Sequence, residues 1–537
     1  RKKHLVKEKE FTRLRDQLSR ERSELPRRLV GAAGLVALGS ILSRLLGLVR
    51  DPVMAQYFGR NLVTDSFIQA QTLSTVVYDL LVSGMVGAAL IPTLSRLAVR
   101  DDMDEFWRVA NAVFAIGALV LAVIVGAMEL LAPVLVHVMS GGYDAPTLAR
   151  ETLLARLMIP TVWLMGLSAA ATAVLYSLHR YRLPALAIAC INLGVIAGML
   201  AFHRLGIVSA AGGLLVGATA QLLLQALALR QARMPFHPRL DWRQPEVVHI
   251  GKLYLPVAAG FLMSSVVVGG ERHLYSLAAP GGLSAAQYAT RLLQVPLGLV
   301  STAVSMAILP TISRYAERSE WSAYRRMVAI GLNVSVLLTL PVTAALAVLA
   351  VPVVDLLFVH GAFRPDDAQA TIIAFWLFAP QLPFAAADQI LINAFYAMHD
   401  TRTPNAVYFV VAVIWAAVAI PGVMLYNWPA LVAANTIQNC AHAVILFALL
   451  LRRHPAIIAE GLTGAWLRGL GATALMAGVC WLIATGLRHE LGSGRLIDLV
   501  TIILAGGGGA LAYVLVMWLT GKDEVALLRQ SLRRSPP

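Results

Sequence analysis

Apolar runs of about 20 residues recur from residue 29 almost to the end of the chain, each long enough to cross the roughly 30 Å hydrocarbon core of a bilayer. In lipid such a run has one stable form, the α-helix, because its backbone polar groups must be satisfied within the segment. Of the 537 residues, 58% are hydrophobic and 14% charged, where a soluble domain carries about 25% charged residues. The mean hydropathy is +0.71. A soluble chain of this length would divide into domains joined by polar linkers, and the sequence has none.

These observations predict an all-α polytopic membrane protein with fourteen transmembrane helices. The expected organisation is a charged cytoplasmic segment over 1–28, an N-lobe of six spans over 29–230, a linker over 231–246, a C-lobe of six spans over 247–452, a C-terminal helix pair over 464–520 and a cytoplasmic tail over 521–537. The formal net charge of +14 would point to nucleic acid in a soluble protein. Here the arginines gather in the loops after every second span: Arg96 and Arg100, Arg180 and Arg182, Arg230 to Arg243, Arg314 and Arg318, Arg402, then Arg452 and Arg453. That asymmetry places both termini in the cytoplasm. The N-terminal segment lacks an apolar stretch near its start, so it reads as a solvated arm rather than a signal peptide. Cys190, Cys440 and Cys480 lie inside apolar runs without metal-like spacing.

The chain repeats itself. "ALIPTLSR" (89–96) returns as "AILPTISR" (307–314), "LYSLHRYRLP" (175–184) as "FYAMHDTRTP" (395–404), and Pro133 as Pro352, at offsets of 218, 220 and 219 residues. The unit holds six spans, so both copies enter the membrane in the same direction. Parallel repeats place the expected substrate site between the halves.

Catalytic signatures are missing. No GxxxxGK[ST] phosphate loop, HExxH, CxxC or GxSxG occurs, so no enzyme, cofactor or metal is expected. His179 and His399 are repeat-related and read as interfacial anchors, and "GGGG" (506–509) as a site of close helix approach.

What remains is charge inside the spans, which is costly and marks cavities or partners. The candidates are Arg44, Arg50, Asp65, Asp79, Glu129, Arg156, Glu271, Arg272, Arg291, Asp355 and Asp388. Arg44 and Arg50, in "SRLLGLVRD", are six apart, which turns them by about 120° and separates them by roughly 9 Å along a helix. They do not make one clamp. Arg44 shares a face with Asp51, seven residues on, which would partly balance it. Arg50 lies where it can snorkel to the outer interface, so Arg44 is the stronger expectation for a ligand contact. Glu129 and Asp355 read as interfacial. Arginines on spans 1 and 8, one from each repeat, suit an anion, because guanidinium makes paired hydrogen bonds to phosphate.

"SRLLGLVRD" followed by "YFGRNLVTDSF", "IPTLSR", "YATRLLQVPLGLVSTAVSMAILPTISR", "VVDLLFVHGAF" and "FYAMHDTRTP" resembles the MurJ (MviN) family of lipid II flippases, within the multidrug/oligosaccharidyl-lipid/polysaccharide exporter superfamily. The resemblance covers roughly 29–520. It implies two six-helix lobes around a cationic cavity, alternating access, a monomer in the bacterial cytoplasmic membrane, a lipid-linked diphosphate-sugar substrate, and cell-wall synthesis proteins as neighbours. It also implies that spans 13 and 14 form an apolar groove for the lipid tail. The family's cavity arginines match Arg44, Arg50 and Arg291, and its "TDAF" aspartate matches Asp65; with Arg272 these are the substrate-contact candidates. The chain departs from the family pattern where Tyr78 and Asp79 stand in place of paired arginines, and where Ser83, Thr290 and Gln294 stand in place of acids. The departures leave open a flippase for another polyprenyl-diphosphate-linked sugar, or a non-transporting membrane scaffold for cell-wall assembly.

Overall fold

The computed structural model describes residues 34–520 apart from 37, 84, 100, 101 and 493; the expected segment 1–28 and tail 521–537 lie outside the described residues. Helix α1 covers 38–58. There follow α2 (Leu62–Tyr78), two π-helical turns (Asp79–Ser83 and Val86–Leu90), α3 (Ile91–Val99), α4 (Met103–Ser140), α5 (Ala145–Met158), α6 (Pro160–Ser177), α7 (Arg182–Ala187), α8 (Cys190–Phe202) and α9 (Val208–Gln231). The later half comprises α10 (Pro245–Ser276), α11 (Gly282–Glu317), α12 (Trp321–Val348), α13 (Ala350–Phe358), α14 (Pro365–Phe378), α15 (Gln381–Ala397), α16 (Arg402–Tyr426), α17 (Trp428–Arg453), α18 (Leu462–Leu491) and α19 (Arg495–Thr520). The described residues contain no strand.

Among the described residues, ten helices are long and apolar enough to cross a membrane, or eleven if α14 and α15, bent by 41°, count as one. The protein is therefore a multi-pass membrane protein. The three expected spans that fall short are α1, the α2–α3 stretch and α10. These carry Arg44, Arg50, Asp65, Asp79, Glu271 and Arg272. The α2–α3 stretch is also broken by its π turns, where the Tyr254 hydroxyl of α10 donates to the Leu80 carbonyl. Interruptions of this kind cluster at functional sites.

The chain divides into two compact units. One contains the residues up to Arg50, Ala70–Val136 and Ala149–Val268; the other contains Asp51–Gln69, His137–Leu148 and the chain from Gly269 onward. In the first unit, Leu90, Leu94, Leu97, Phe106, Val109 and Val174 form one buried cluster. Its tightest seam joins α8 and α9. A Cβ on Gly194 would lie 2.5 Å from the Gly213 carbonyl oxygen, and one on Gly217 would lie 2.7 Å from that of Cys190. "GVIAG" (194–198) and "GLLVG" (213–217) are thus facing small-residue motifs that bring two backbones together without a hydrophobic driving force in lipid. Gly217→Ala should therefore destabilise by about 1–3 kcal/mol, the usual cost of overpacking. Gly212→Ala, with nothing within 4 Å, should be neutral or stabilising by up to about 1 kcal/mol. Thermal unfolding of the detergent-solubilised pair checks the contrast.

In the second unit, Ile312, Tyr324, Ile390, Phe395 and Leu446 centre the core of α11, α12, α15 and α17. The C-terminal pair packs on α12 through Leu337, Ala465, Ala472 and Met517. Within "GGGG", Gly509 and Gly508 are the close-approach positions, with Cβ sites 2.8 Å from Cys480 Sγ and from Ile483 Cδ1; Gly507 faces open space. The Arg488 guanidinium bonds both Asp355 (2.8 Å) and Asp498 (2.7 Å), tying α18 to α13 and α19. Asp355, expected at the interface, is a partner in this clasp.

The internal repeat has a structural counterpart in each unit. His179 (φ 56°) and His399 (φ 58°) are left-handed residues just past α6 and α15. The next N–H, of Arg180 or Asp400, reaches back to the Leu175 or Phe395 carbonyl. This is the same helix C-terminal motif at matched positions. Asp400 also accepts from the Thr403 N–H and hydroxyl and pairs with Arg453 at 2.7 Å. The Thr403 hydroxyl, its N–H and Arg453 hold the Asp400 carboxyl down at about 2. A carboxyl depressed below its unfolded value of about 3.9 stabilises fully above that value, and loses its contribution as pH falls through about 2. Asp400→Asn should therefore lower the unfolding temperature by a constant amount from about pH 7 to 5, with the gap to wild type narrowing below about pH 4.

Candidate substrate site

Arg50 is not a snorkelling residue. It is 6% exposed, and its Nη1 donates to Asn192 Oδ1 at 3.3 Å. The reason is the face it occupies. Gly39, Ser43, Gly47 and Arg50 fall at helical spacing along α1. A Cβ on Gly39 would strike the Ala185 carbonyl, and Asn192 donates to the Ser43 carbonyl at 3.0 Å. This stripe lies against α7 and α8, and Arg50 is its polar end. Arg44 lies off the stripe and is exposed, among exposed Ile41, Leu42 and Leu45. The two arginines do point apart, as their spacing requires, but the buried one is Arg50.

In the second unit, Arg291 of α11 makes an ion pair with Asp51, Nε to Oδ2 at 3.0 Å, and its Nη1 donates to Gln294 Oε1 at 3.0 Å. Asp51 therefore holds Arg291, 240 residues away. Gln294, which replaces an acid of the family pattern, still supplies an oxygen but no charge. The Asp51 side chain is 4% exposed and the Arg291 side chain 29%, so the carboxylate is buried and the arginine is partly exposed.

The stretch after Asp51 explains why Arg291 is so placed. Asp65 is 1% exposed. Its two oxygens accept the Gly281 and Ser284 N–H groups at 2.7 and 2.8 Å, capping the start of α11 from outside that helix. The Gly59 carbonyl accepts from Thr64 and Tyr288, the Gln56 carbonyl from the Ala362 N–H, and Arg60 pairs with Asp367 at 3.1 Å. Gly361 (φ 63°) is required there, since a Cβ would sit 2.3 Å from the Gln56 oxygen. The motif fragments "YFGRNLVTDSF", "YATR" and "VHGAF" thus form one knot that sets α11. Asp65 is a helix cap, each of its oxygens engaged by a backbone N–H.

Arg272 of α10 accepts at its backbone carbonyl from Gln69. Its Nε is buried without a hydrogen-bond partner among the described residues. Tyr78 and Asp79, at the family's paired-arginine positions, fall where α2 passes into the first π turn. In the second unit, an apolar cleft of about 620 Å³ opens between α12 and the C-terminal pair. It is lined by Leu337, Leu338, Val342, Met476, Tyr513 and Trp518, among others. Asn192 and Gln294 carried no signal in the sequence, because each is identified only by the arginine it meets.

A multi-pass helical protein with an oriented arginine inside a span and an apolar cleft has the features of a transporter of amphiphiles, and solved transporters share its fold. A structure described as lipid II flippase MurJ in an inward closed conformation superposes with a TM-score of 0.75 at 19% identity, covering 91% of this chain and 99% of the other. An inward-facing multidrug resistance MATE family transporter of the MOP superfamily gives 0.59 at 15% identity, over 79% and 95%. The chain belongs to the MurJ family, whose model, described as lipid II flippase MurJ, matches residues 54–501. A probable lipid II flippase MurJ of Bdellovibrio bacteriovorus is 28% identical over 528 residues, 94% of this chain and 97% of the relative. That of Rhizobium meliloti is 28% identical over 539 residues, 94% and 96%.

Proposed function

We propose that this chain is a lipid II flippase, carrying lipid-linked peptidoglycan precursor from the inner to the outer leaflet of the bacterial cytoplasmic membrane by alternating access. The observation that carries the reading is the family match across residues 54–501. The chain crosses the membrane fourteen times as two parallel six-helix repeats and a helix pair, with both termini in the cytoplasm, and works as a monomer beside cell-wall synthesis proteins.

Arg291 contacts the diphosphate, with Asp51 and Gln294 orienting its guanidinium. Charge-assisted bonds of guanidinium to phosphate are the strong ones. Arg44 and Arg50 contribute positive charge from α1. Arg44 is the more accessible of the two, and an exposed cation within a span is tolerated only where it meets water or an anion. Arg272 supports the reading through its unpartnered Nε, which a bound anion would satisfy. The cleft of α12, α18 and α19 takes the polyprenyl chain, since its lining is apolar. No chemical step occurs; the anionic headgroup couples to the membrane potential at about 2.3 kcal/mol per charge per 100 mV.

A second reading, another polyprenyl-diphosphate-linked sugar, is favoured by Tyr78, Asp79 and Gln294 at positions where the family carries other charges. One experiment decides between them. Wild type is expressed in cells depleted of their own flippase, and its co-purifying lipid is identified by native mass spectrometry. Rescue of growth with bound lipid II is expected. Membrane-inserted protein that neither rescues nor carries lipid II refutes the reading, and a different lipid-linked sugar selects the second.

A further inference from the structure

The second unit holds an acid–base pair inside its helices that the headgroup site does not use. Asp388 of α15 and His442 of α17 meet at 2.7 Å, Oδ1 to Nδ1. His442 Nε2 lies 3.4 Å from the Pro404 carbonyl oxygen in the first turn of α16. His442 is 7% exposed. The pair ends a polar seam: Gln381 and Asp388 are seven apart on α15, and Asn435, Asn439 and His442 share one face of α17. Asn439 Nδ2 donates to Gln381 Oε1 at 2.9 Å and to Asn435 Oδ1 at 3.1 Å. Asn and Gln bonds of this kind join membrane helices, whereas an acid and a histidine within spans mark an ion or proton path by default.

The proton count is decisive. Both ring nitrogens of His442 face oxygen acceptors. A neutral imidazole has one N–H, so a neutral ring beside a carboxylate satisfies only one of the two contacts. The other nitrogen then faces an oxygen, lone pair to lone pair. One additional proton, on the ring or on the Asp388 carboxyl, satisfies both. Holding that proton ties α17 to α15 and α16 together; losing it leaves α17 bonded to one of them. The remaining groups do not substitute for it. From α16, Tyr408 meets the ring edge-on with centroids 6.2 Å apart. The charges on the other helices packed against α17 are engaged or terminal: Asp367 of α14 pairs with Arg60 and Asp366 is its neighbour, and Arg291 of α11 pairs with Asp51 while Arg314 and Glu317 lie in its last turns. On α17 itself the charges are Arg452 and Arg453 in the last turn. The Asp388 side chain keeps 19% of its surface open, and an acid open within a span meets water.

We propose that Asp388 and His442 form a proton-binding site whose occupancy clasps α15, α16 and α17, and that proton binding and release there is coupled to the transport cycle. The step moves one proton between water and the pair, with no other bond made or broken. The coupling rests on the flippase reading; the proton site does not. Two measurements on the full chain separate them. Ring ¹⁵N and Asp388 ¹³Cγ signals of protein in nanodiscs, assigned with His442→Gln and Asp388→Asn, count the protons. Two on the wild-type pair near about pH 7, and one on the ring in Asp388→Asn, are expected; a single proton on the wild-type pair from about pH 5 to 9 overturns the site. In proteoliposomes with fluorescent lipid II, inverting a gradient of about one pH unit should change the wild-type rate by about threefold or more, within the tenfold that one unit allows per proton. Asp388→Asn and His442→Gln should flatten that response. Equal wild-type rates under both gradients overturn the coupling. No wild-type movement of lipid II at all overturns the flippase reading, while the proton count still decides the site.

Discussion

Arg291→Ala is expected to reduce lipid II translocation in proteoliposomes by at least about 100-fold. A hydrogen bond from a charged donor is worth about 1.5–3 kcal/mol, and two such bonds to a diphosphate account for a loss of this size. The same change takes Arg291 from Asp51, whose side chain is 4% exposed, and removing one partner of a buried pair costs about 3–5 kcal/mol. Because Arg291 is partly open, the lower end applies, and the variant should unfold at lower temperature while still inserting. Two further variants separate stability from transport. Arg291→Lys keeps the charge, but one ammonium cannot span Asp51, Gln294 and a ligand, so it should be close to wild type in stability and about tenfold slower. Asp51→Asn with Arg291→Gln removes both charges and should regain stability without transport. If Arg291→Ala is thermally wild type and moves lipid at the wild-type rate, Arg291 has no part in the substrate site.

The all-helical, multi-pass class was legible because hydropathy is a property of single segments. The intramembrane charges were legible for the same reason, and so was the angle between Arg44 and Arg50. Partners were not. Asp51 meets Arg291, 240 residues on, Arg50 finds Asn192 at a distance of 142 residues, and Asp388 finds His442 at 54. Helical spacing gives direction around one axis and says nothing of which axis lies opposite. The π turns at 79–90 were invisible because they interrupt hydrogen bonding without interrupting apolar composition. The paired motifs "GVIAG" and "GLLVG" were readable in principle, since small residues four apart on consecutive spans state a close approach. The family fragments were read as a substrate signature. Several of them build the knot around Gly59, Asp65 and Gly361 that fixes α11, the helix that carries Arg291.

Asp65 shows how that distinction can be measured. Asp65→Ala leaves the Gly281 and Ser284 N–H groups buried with no acceptor, at about 1–3 kcal/mol each, and removes an anion from a helix N-terminus worth about 0.3–1 kcal/mol or more when buried. A loss of about 3–6 kcal/mol is expected, enough to cut folded yield sharply. Asp65→Asn should recover little, because its amide nitrogen would face one of the two N–H groups donor to donor. A cap and a ligand contact then predict opposite patterns. If Asp65 is a cap, both variants unfold at lower temperature, and the surviving folded fraction moves lipid II at a rate per molecule within about threefold of wild type, since Arg291 and Asp51 are retained. If Asp65 binds substrate, the variants keep the wild-type unfolding temperature and lose transport. With both oxygens occupied and 1% of its surface exposed, Asp65 should give the first pattern, and the second would return it to the substrate site.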